Sequence, residues 1–201
     1  MKNLISVFIF VLTALSTLFC QERLEFIDAV NQAKLEYKFH GNGNSTGAAL
    51  EGTIKNPGKE IIQVEVNQQK PLFLENSGAG QNLVLFQLFY SNGKYLRDDF
   101  TTYLEFKPDT IYTIVGNSLC YNFEKPNPEP NENLVVKPLP DTIKAYDFIL
   151  KIREAIIKKK TTMKQAQCAL WYVQGTGLDK INTKFEIELN ELEKIRELIE
   201  D

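Results

Sequence analysis

The stretch Leu83-Val84-Leu85-Phe86-Gln87-Leu88-Phe89-Tyr90 is the most strongly apolar part of the chain after its first residues. A short apolar stretch that is bounded by turn residues predicts a buried β-strand, and Ser91-Asn92-Gly93-Lys94 supplies the turn. Other strand-like stretches lie on either side of it, at 35–39, 50–54, 61–66, 103–106 and 110–115. Short strands with a turn about every 8–12 residues are typical of a β-sandwich. We therefore expect residues 21–125 to form an antiparallel, Ig-like β-sandwich domain.

The turn sequence Asn56-Pro57-Gly58-Lys59 separates two of these strand-like stretches. Asparagine, proline and glycine in this order favour a tight turn. The sequence therefore predicts a hairpin that joins the strand at 50–55 to the strand at 61–66.

A change of pattern follows the predicted sandwich. Five prolines fall within residues 126–141, which predicts an extended linker because proline cannot sit in the interior of a sheet. Beyond it, apolar residues recur with helical spacing, so residues 142–201 are expected to be a helical region that packs on the sandwich. The predicted helices cover 143 to about 158, 163–174 and 185–200, with Thr161 or Thr162 as a cap and Gly175 as a terminator. The fold class expected overall is α+β.

Residues 1–20 have the layout of a cleavable signal peptide. Lys2 supplies a positive start, and Leu4 to Leu15 form an apolar stretch too short to span a membrane. A polar sequence, Gln21-Glu22-Arg23, follows directly. We therefore expect an exported protein that is secreted, periplasmic or held at the cell surface, without a membrane span. A lipoprotein signal also ends in cysteine, which makes Cys20 a candidate lipid anchor, although Leu18 and Phe19 fit that signal poorly.

Composition argues against several functional classes. The formal net charge is −3, and no basic surface of the kind that binds nucleic acid is indicated. The chain has a single histidine, His40, beside a glycine-rich loop, and no Cys/His pair has the spacing of metal ligands. We therefore predict no catalytic residues, no metal and no cofactor, and a protein that is not an enzyme.

Two short segments are less generic. Leu119-Cys120-Tyr121-Asn122 lies at the end of a predicted strand, and Gln167-Cys168-Ala169-Leu170-Trp171 lies within a predicted helix. Together they resemble the two signature segments of the bacterial surface thioester domains found on adhesins. The resemblance implies a thioester between Cys120 and Gln167, shielded by Tyr121 and Trp171, and covalent capture of an amine. Ala166 stands where that family usually has threonine, and the two segments lie closer together than is usual there.

A disulfide is the alternative for the same cysteine. The predicted mature chain holds Cys120 and Cys168, and an even pair of cysteines in an exported protein favours a disulfide. Such a bond would stabilise the fold by roughly 4 kcal/mol for a loop of this size. Cys120 cannot take part in both bonds.

The function expected first from the sequence is that of an exported, non-enzymatic binding protein with an unknown protein or glycan partner at a surface. Aromatic residues that could contact such a partner, or could simply pack on strand faces, are Tyr90, Tyr95, Phe100 and Tyr103. A thioester adhesin is the alternative, and a structural subunit of a surface assembly is the second alternative.

Overall fold

The computed structural model describes residues 23–91 and 102–200. The predicted signal peptide, Cys20, Tyr95 and Phe100 lie outside the described residues, so their predictions stay as stated.

Within the described residues, nine strands and five helices are present. The strands are β1 (Arg23–Leu24), β2 (Glu36–Gly41), β3 (Thr46–Lys55), β4 (Ile62–Glu65), β5 (Asn67–Asn76), β6 (Leu83–Tyr90), β7 (Tyr103–Phe106), β8 (Ile111–Cys120) and β9 (Asn133–Pro138). The helices are α1 (Phe26–Asn31), α2 (Tyr146–Ile157), α3 (Met163–Val173), α4 (Leu178–Lys184) and α5 (Leu189–Glu200). The predicted α+β class is confirmed.

Six of these strands close into an antiparallel barrel in the order β2-β3-β8-β6-β5-β9, where β9 pairs back with β2. The structure therefore does not show the two open sheets of the expected Ig-like sandwich. The physical reason is that alternation along a strand predicts which face is buried but not whether the sheet edges meet. Closure removes the unpaired strand edges that an open sheet would leave.

The barrel is closed by β9, which lies inside the segment 126–141 that was expected to be a linker. It pairs with both β2 and β5. Leu134 and Val136 are buried, whereas Val135 between them is 44 % exposed, as a strand with one buried face requires. The prolines exclude the interior of a sheet only at their own positions, so the residues after Pro130 form a strand that ends at Pro138.

The predicted hairpin at 50–66 is wrong. β3 pairs with β2 and β8 in the barrel, whereas β4 pairs with β1 and β7 in a separate three-stranded sheet. The turn between β3 and β4 is held by the Asn56 side chain, whose Nδ2 donates to the carbonyl oxygens of Glu60 at 2.7 Å and Phe106 at 2.8 Å. The turn prediction thus holds locally, while the chain leaves it for another sheet.

Strand β6 is buried on both faces. Leu83, Leu85 and Leu88 belong to the larger apolar cluster, which includes the barrel interior, and Val84 and Phe86 belong to a second cluster with helices α2 and α3. This double burial explains why the stretch at 83–90 is almost continuously apolar. Helix α3 is thereby held against the outer surface of the barrel.

The ends of α3 follow the sequence prediction. The Thr162 side chain accepts from the Gln165 backbone N–H, and the Gln165 side chain accepts in turn from the Thr162 N–H, which forms a capping box. Gly175, with φ of 99°, follows the helix in the left-handed conformation that glycine adopts readily. Helix α4 was not predicted, and the third predicted helix begins at Leu189 rather than Phe185. No helix in the described part of the chain is long and apolar enough to cross a membrane.

Candidate functional site at the junction of β8 and α3

Cys120 is the last residue of β8 and is fully buried. On one side it is paired with Leu83 of β6. On the other side the regular pairing with β3 ends one residue earlier, at Leu119 and Thr46. The Cys120 N–H approaches the Ser45 carbonyl oxygen at 3.4 Å only, which is long for a hydrogen bond.

The Gln167 side chain occupies the place of the missing strand partner. Its Oε1 accepts a hydrogen bond from the Cys120 N–H at 2.7 Å, and its Nε2 donates to the Cys120 carbonyl oxygen at 2.7 Å. Gln167 is fully buried. The structure therefore brings together the two residues that the thioester resemblance singles out, although they lie 47 positions apart in the chain.

Helix α3 positions Gln167 because it is buried around its whole circumference over two turns. Residues Ala166, Gln167, Cys168, Ala169, Leu170 and Trp171 are all buried. Leu170 packs in the cluster against the outer face of the barrel, and Trp171 packs in the larger core cluster. A side chain in such a setting has few alternative positions, so the contact with Cys120 is held on both sides.

Trp171 is buried in the same apolar cluster as Cys120, and the shielding role that the resemblance implies for it stays a prediction. Its ring meets Phe123 edge-on at a centroid distance of 4.9 Å and stacks on Phe185 at 5.7 Å. The Lys184 ammonium lies 4.4 Å from the Phe123 ring centre and 5.3 Å from the Trp171 ring centre. The buried Trp171 indole N–H has no acceptor among the described residues. Trp171, Phe123 and Phe185 therefore form an aromatic cluster with the Lys184 ammonium at its exposed edge.

Tyr121 follows Cys120 in the chain, and the shielding role that the resemblance implies for it stays a prediction. Its ring packs edge-on against Phe73 at 5.7 Å, and its hydroxyl donates to the Lys144 carbonyl oxygen at 3.2 Å. It lines an open groove of about 700 Å³ between the segment after β8 and the end of α3, together with Asn122, Phe123, Gln174 and Lys180. Tyr121 therefore lies in the wall of a groove that begins directly after the Cys120 position in the chain.

The two cysteines share burial and differ in their charged neighbours. Burial raises the pKa of the Cys120 thiol to about 12, against a smaller lowering by the Lys184 ammonium. Burial also raises the pKa of the Cys168 thiol to about 11, where Lys164 lowers it and Glu191 raises it. Both are free, buried cysteines, and a disulfide between them in the oxidised chain stays a prediction.

Other sequence candidates contribute little to this site. His40 lies in β2, where its Nδ1 is 2.8 Å from the carbonyl oxygen of Gly41. Tyr90 stacks on Tyr112 at 5.3 Å and donates its hydroxyl hydrogen to the Glu105 carbonyl oxygen, and Tyr103 lies under the Arg23 guanidinium at 4.5 Å. Across residues 23–91 and 102–200, no group of three histidine, cysteine or acidic side chains could hold a metal ion.

Lys184 and Phe123 are parts of the site that the sequence prediction missed. Lys184 ends α4, a helix whose seven residues have too short an apolar pattern to be recognised. Phe123 is the residue directly after the segment Leu119–Asn122, so its position near Cys120 could have been inferred from its place in the chain.

Comparison with known proteins adds no relative: no family model, no curated protein and no solved structure matches this chain. The site is therefore interpreted from its own geometry.

Proposed function

We propose that this chain is an exported, non-enzymatic binding protein that captures an amine through a thioester between Cys120 and Gln167. The observation that carries the proposal is the pair of 2.7 Å hydrogen bonds between the Gln167 side-chain amide and the backbone of Cys120. They place the amide against the residue whose sulfur would attack it.

The geometry supports the chemistry of bond formation. The Cys120 N–H donates to Gln167 Oε1, so it can stabilise the negative charge that develops on this oxygen when the carbonyl carbon is attacked. The S–Cδ bond forms, the Cδ–Nε2 bond breaks, and the thiol proton leaves with the amide nitrogen as ammonia. Because this step occurs once in the life of each molecule, a slow reaction from a mostly protonated thiol is sufficient.

Capture reverses the roles of the atoms. An incoming amine attacks the Gln167 carbonyl carbon, the C–S bond breaks, and a proton from the amine returns to the Cys120 sulfur. Trp171 and Phe123 keep water from the thioester before that event. The groove beside Tyr121 offers a path along which a surface amine can reach the junction after a small movement of Phe123.

The proposal is tested by adding methylamine to the mature protein and mapping the modified peptide. We expect methylamine to be incorporated at Gln167 with release of a thiol at Cys120. Cys120→Ala should abolish incorporation. Cys168→Ala is the matched control, because Cys168 is equally buried but makes no bond in this chemistry, and it should leave incorporation unchanged. Absence of incorporation in a protein that also retains all of its amide nitrogen would refute the proposal.

Non-covalent binding is the second candidate, and a separate observation favours it. A groove whose lining includes amide and lysine side chains lies on another part of the barrel surface, at the start of α3. A binding protein that needs no thioester would incorporate no methylamine at Gln167 and would still bind its ligand reversibly, so methylamine incorporation is the measurement that separates the two candidates.

A further inference from the structure

A groove of about 740 Å³ separates the outer surface of β5, β6 and β8 from the segment that joins α2 to α3. The first turn and a half of α5 completes its wall through Asn190, Glu191 and Lys194. This groove has no part in the proposed thioester chemistry, since neither Cys120 nor Gln167 lines it.

Three amide side chains form a row along the barrel wall of the groove. Asn67, Gln87 and Asn117 lie on neighbouring strands and are paired in register, Asn67 with Gln87 and Gln87 with Asn117. Gln87 Nε2 donates to Asn67 Oδ1 at 2.6 Å, and Asn117 Nδ2 donates to Gln87 Oε1 at 3.0 Å. We call these three residues the amide row.

The amide row is oriented and still has unused hydrogen-bonding capacity. Each amide has two N–H donors and one oxygen that can accept two bonds, and the two bonds within the row use only part of them. Three neighbouring strands span about 10 Å, so the row offers a line of fixed donors and acceptors rather than a single point. Phe89, two residues after Gln87 in β6, adds a half-buried aromatic surface to the same groove.

Cationic side chains form the opposite rim. Lys159, Lys160 and Lys194 line the groove, and we call them the lysine rim. The acidic lining residue, Glu191, is already paired with Lys164 at 2.7 Å. Lys194 is itself 3.3 Å from Glu197, so the excess of lysines over acidic residues in the lining lies mainly in the segment between α2 and α3, although the whole chain carries a net charge of −3.

The lysine rim begins where α2 ends. The Lys160 N–H donates to the Ala155 carbonyl oxygen at 2.8 Å, and the Lys159 N–H donates to the Ile156 carbonyl oxygen at 3.0 Å. Lys159 has φ of 55°, the left-handed conformation with which many helices end. The end of α2 therefore fixes the backbone that carries two of the rim lysines.

From this arrangement we infer that the groove binds an acidic oligosaccharide. The amide row suits the alternating donors and acceptors of sugar hydroxyls, Phe89 suits the apolar face of a sugar ring, and the lysine rim suits its carboxylate or sulfate groups. A small inorganic anion would use the lysines alone and would leave the amide row without a partner.

The test is isothermal titration of the mature full-length protein with three probes: an oligogalacturonate, a heparin-derived oligosaccharide and neutral maltohexaose. We expect binding of at least one acidic probe and a much weaker signal for maltohexaose. Binding of the oligogalacturonate alone assigns a carboxylate ligand, and binding of the heparin-derived probe alone assigns a sulfate ligand. Failure of both acidic probes to bind, or equal binding of maltohexaose, would overturn the inference.

Variants locate the binding. Lys160→Gln with Lys194→Gln should weaken acidic-probe binding by roughly tenfold, whereas Lys38→Gln with Lys107→Gln, which removes the same charge from exposed positions outside the groove, should change it less than about twofold. Gln87→Met should also weaken binding, because it breaks both hydrogen bonds of the amide row. An equal effect of the two lysine pairs would show general electrostatic attraction and contradict the site.

Cys120→Ala should leave affinity unchanged, so failure of the thioester proposal and failure of this one are distinguishable.

Discussion

Cys120 and Cys168 are both free, fully buried and part of the same apolar cluster, yet the structure gives them different surroundings. Cys120 ends a strand, and its backbone is bonded on one side by the Gln167 amide. Cys168 lies within a helix and near the ion pair of Lys164 and Glu191. The comparison shows that burial raises the pKa of both thiols, and that only Cys120 has a side-chain amide bonded to its backbone.

The largest difference is expected when the amide is removed. In a Cys120→Ala background, where no thioester can form and the Gln167 amide stays intact, Gln167→Leu leaves the residue 120 carbonyl oxygen without its bond and the N–H with only the long contact to Ser45. We expect a loss of about 3 kcal/mol in the free energy of unfolding, since buried unpaired polar groups cost about 1–3 kcal/mol each. Denaturant unfolding measures it.

The matched control for this variant is Gln165→Leu, two residues earlier on the same helix. It removes one half of the capping box only, and we expect a cost of about 1 kcal/mol or less. Equal costs for the two variants would mean that the Gln167 amide contributes no more than an ordinary helix cap.

Alkaline pH offers a smaller effect that separates the two thiols. A folded thiol with a raised pKa keeps its proton where the unfolded thiol, with an ordinary pKa near 9, has lost it. The unfolded state then binds fewer protons, so stability falls as pH rises. Each such thiol lowers the free energy of unfolding by about 1.4 kcal/mol per pH unit. For Cys168 this decline extends from about pH 9 to about pH 11, and for a free Cys120 thiol it extends from about pH 9 to about pH 12.

A thioester removes Cys120 from this titration. We therefore expect Cys168→Ala to flatten the decline in stability between about pH 9 and 11, the window set by its pKa, and Cys120→Ala to leave the decline as it is in the parent protein. Denaturant unfolding at a series of pH values compares them. If Cys120→Ala flattens the decline as well, the parent protein carries a free Cys120 thiol.

The smallest effect concerns the neighbouring cations. Lys184 lowers the pKa of Cys120, and Lys164 lowers that of Cys168. Lys184→Gln should slow thioester formation by a few-fold, about the size expected for loss of one partly screened charge, as measured by the mass of freshly folded protein over time. Lys164→Gln should leave the rate unchanged. The same slowing in both variants would assign the effect to general charge.

Local features of this molecule followed from its sequence more closely than long-range ones. Strand β6 and helix α3, with its Thr162 cap and Gly175 end, depend on neighbouring residues, and their patterns predicted them. Closure of the barrel by β9 depends on its pairing with β2 and β5, which are far from it in the chain. A short apolar stretch between prolines does not indicate which strands it will pair with. The same limit applies to the β3–β4 turn, which is a turn but not a hairpin.

The candidate site divides in the same way. The resemblance of two segments identified Cys120, Gln167 and Trp171, and the structure brings them together. The burial of Cys168 could not be predicted, because the pattern of a single helix contains no information about the neighbours that cover it. Lys184 could not be predicted without the fold, since its role depends on where α4 places its last residue.

The most direct measurement counts alkylatable thiols when the mature protein, never exposed to reductant, is unfolded in the presence of iodoacetamide. The thioester account predicts that Cys168 is alkylated, that Cys120 is not, and that the intact protein is lighter than its sequence by one molecule of ammonia. Alkylation of both cysteines at full sequence mass would show two free thiols, and alkylation of neither until reductant is added would show the disulfide. Either result would contradict the thioester.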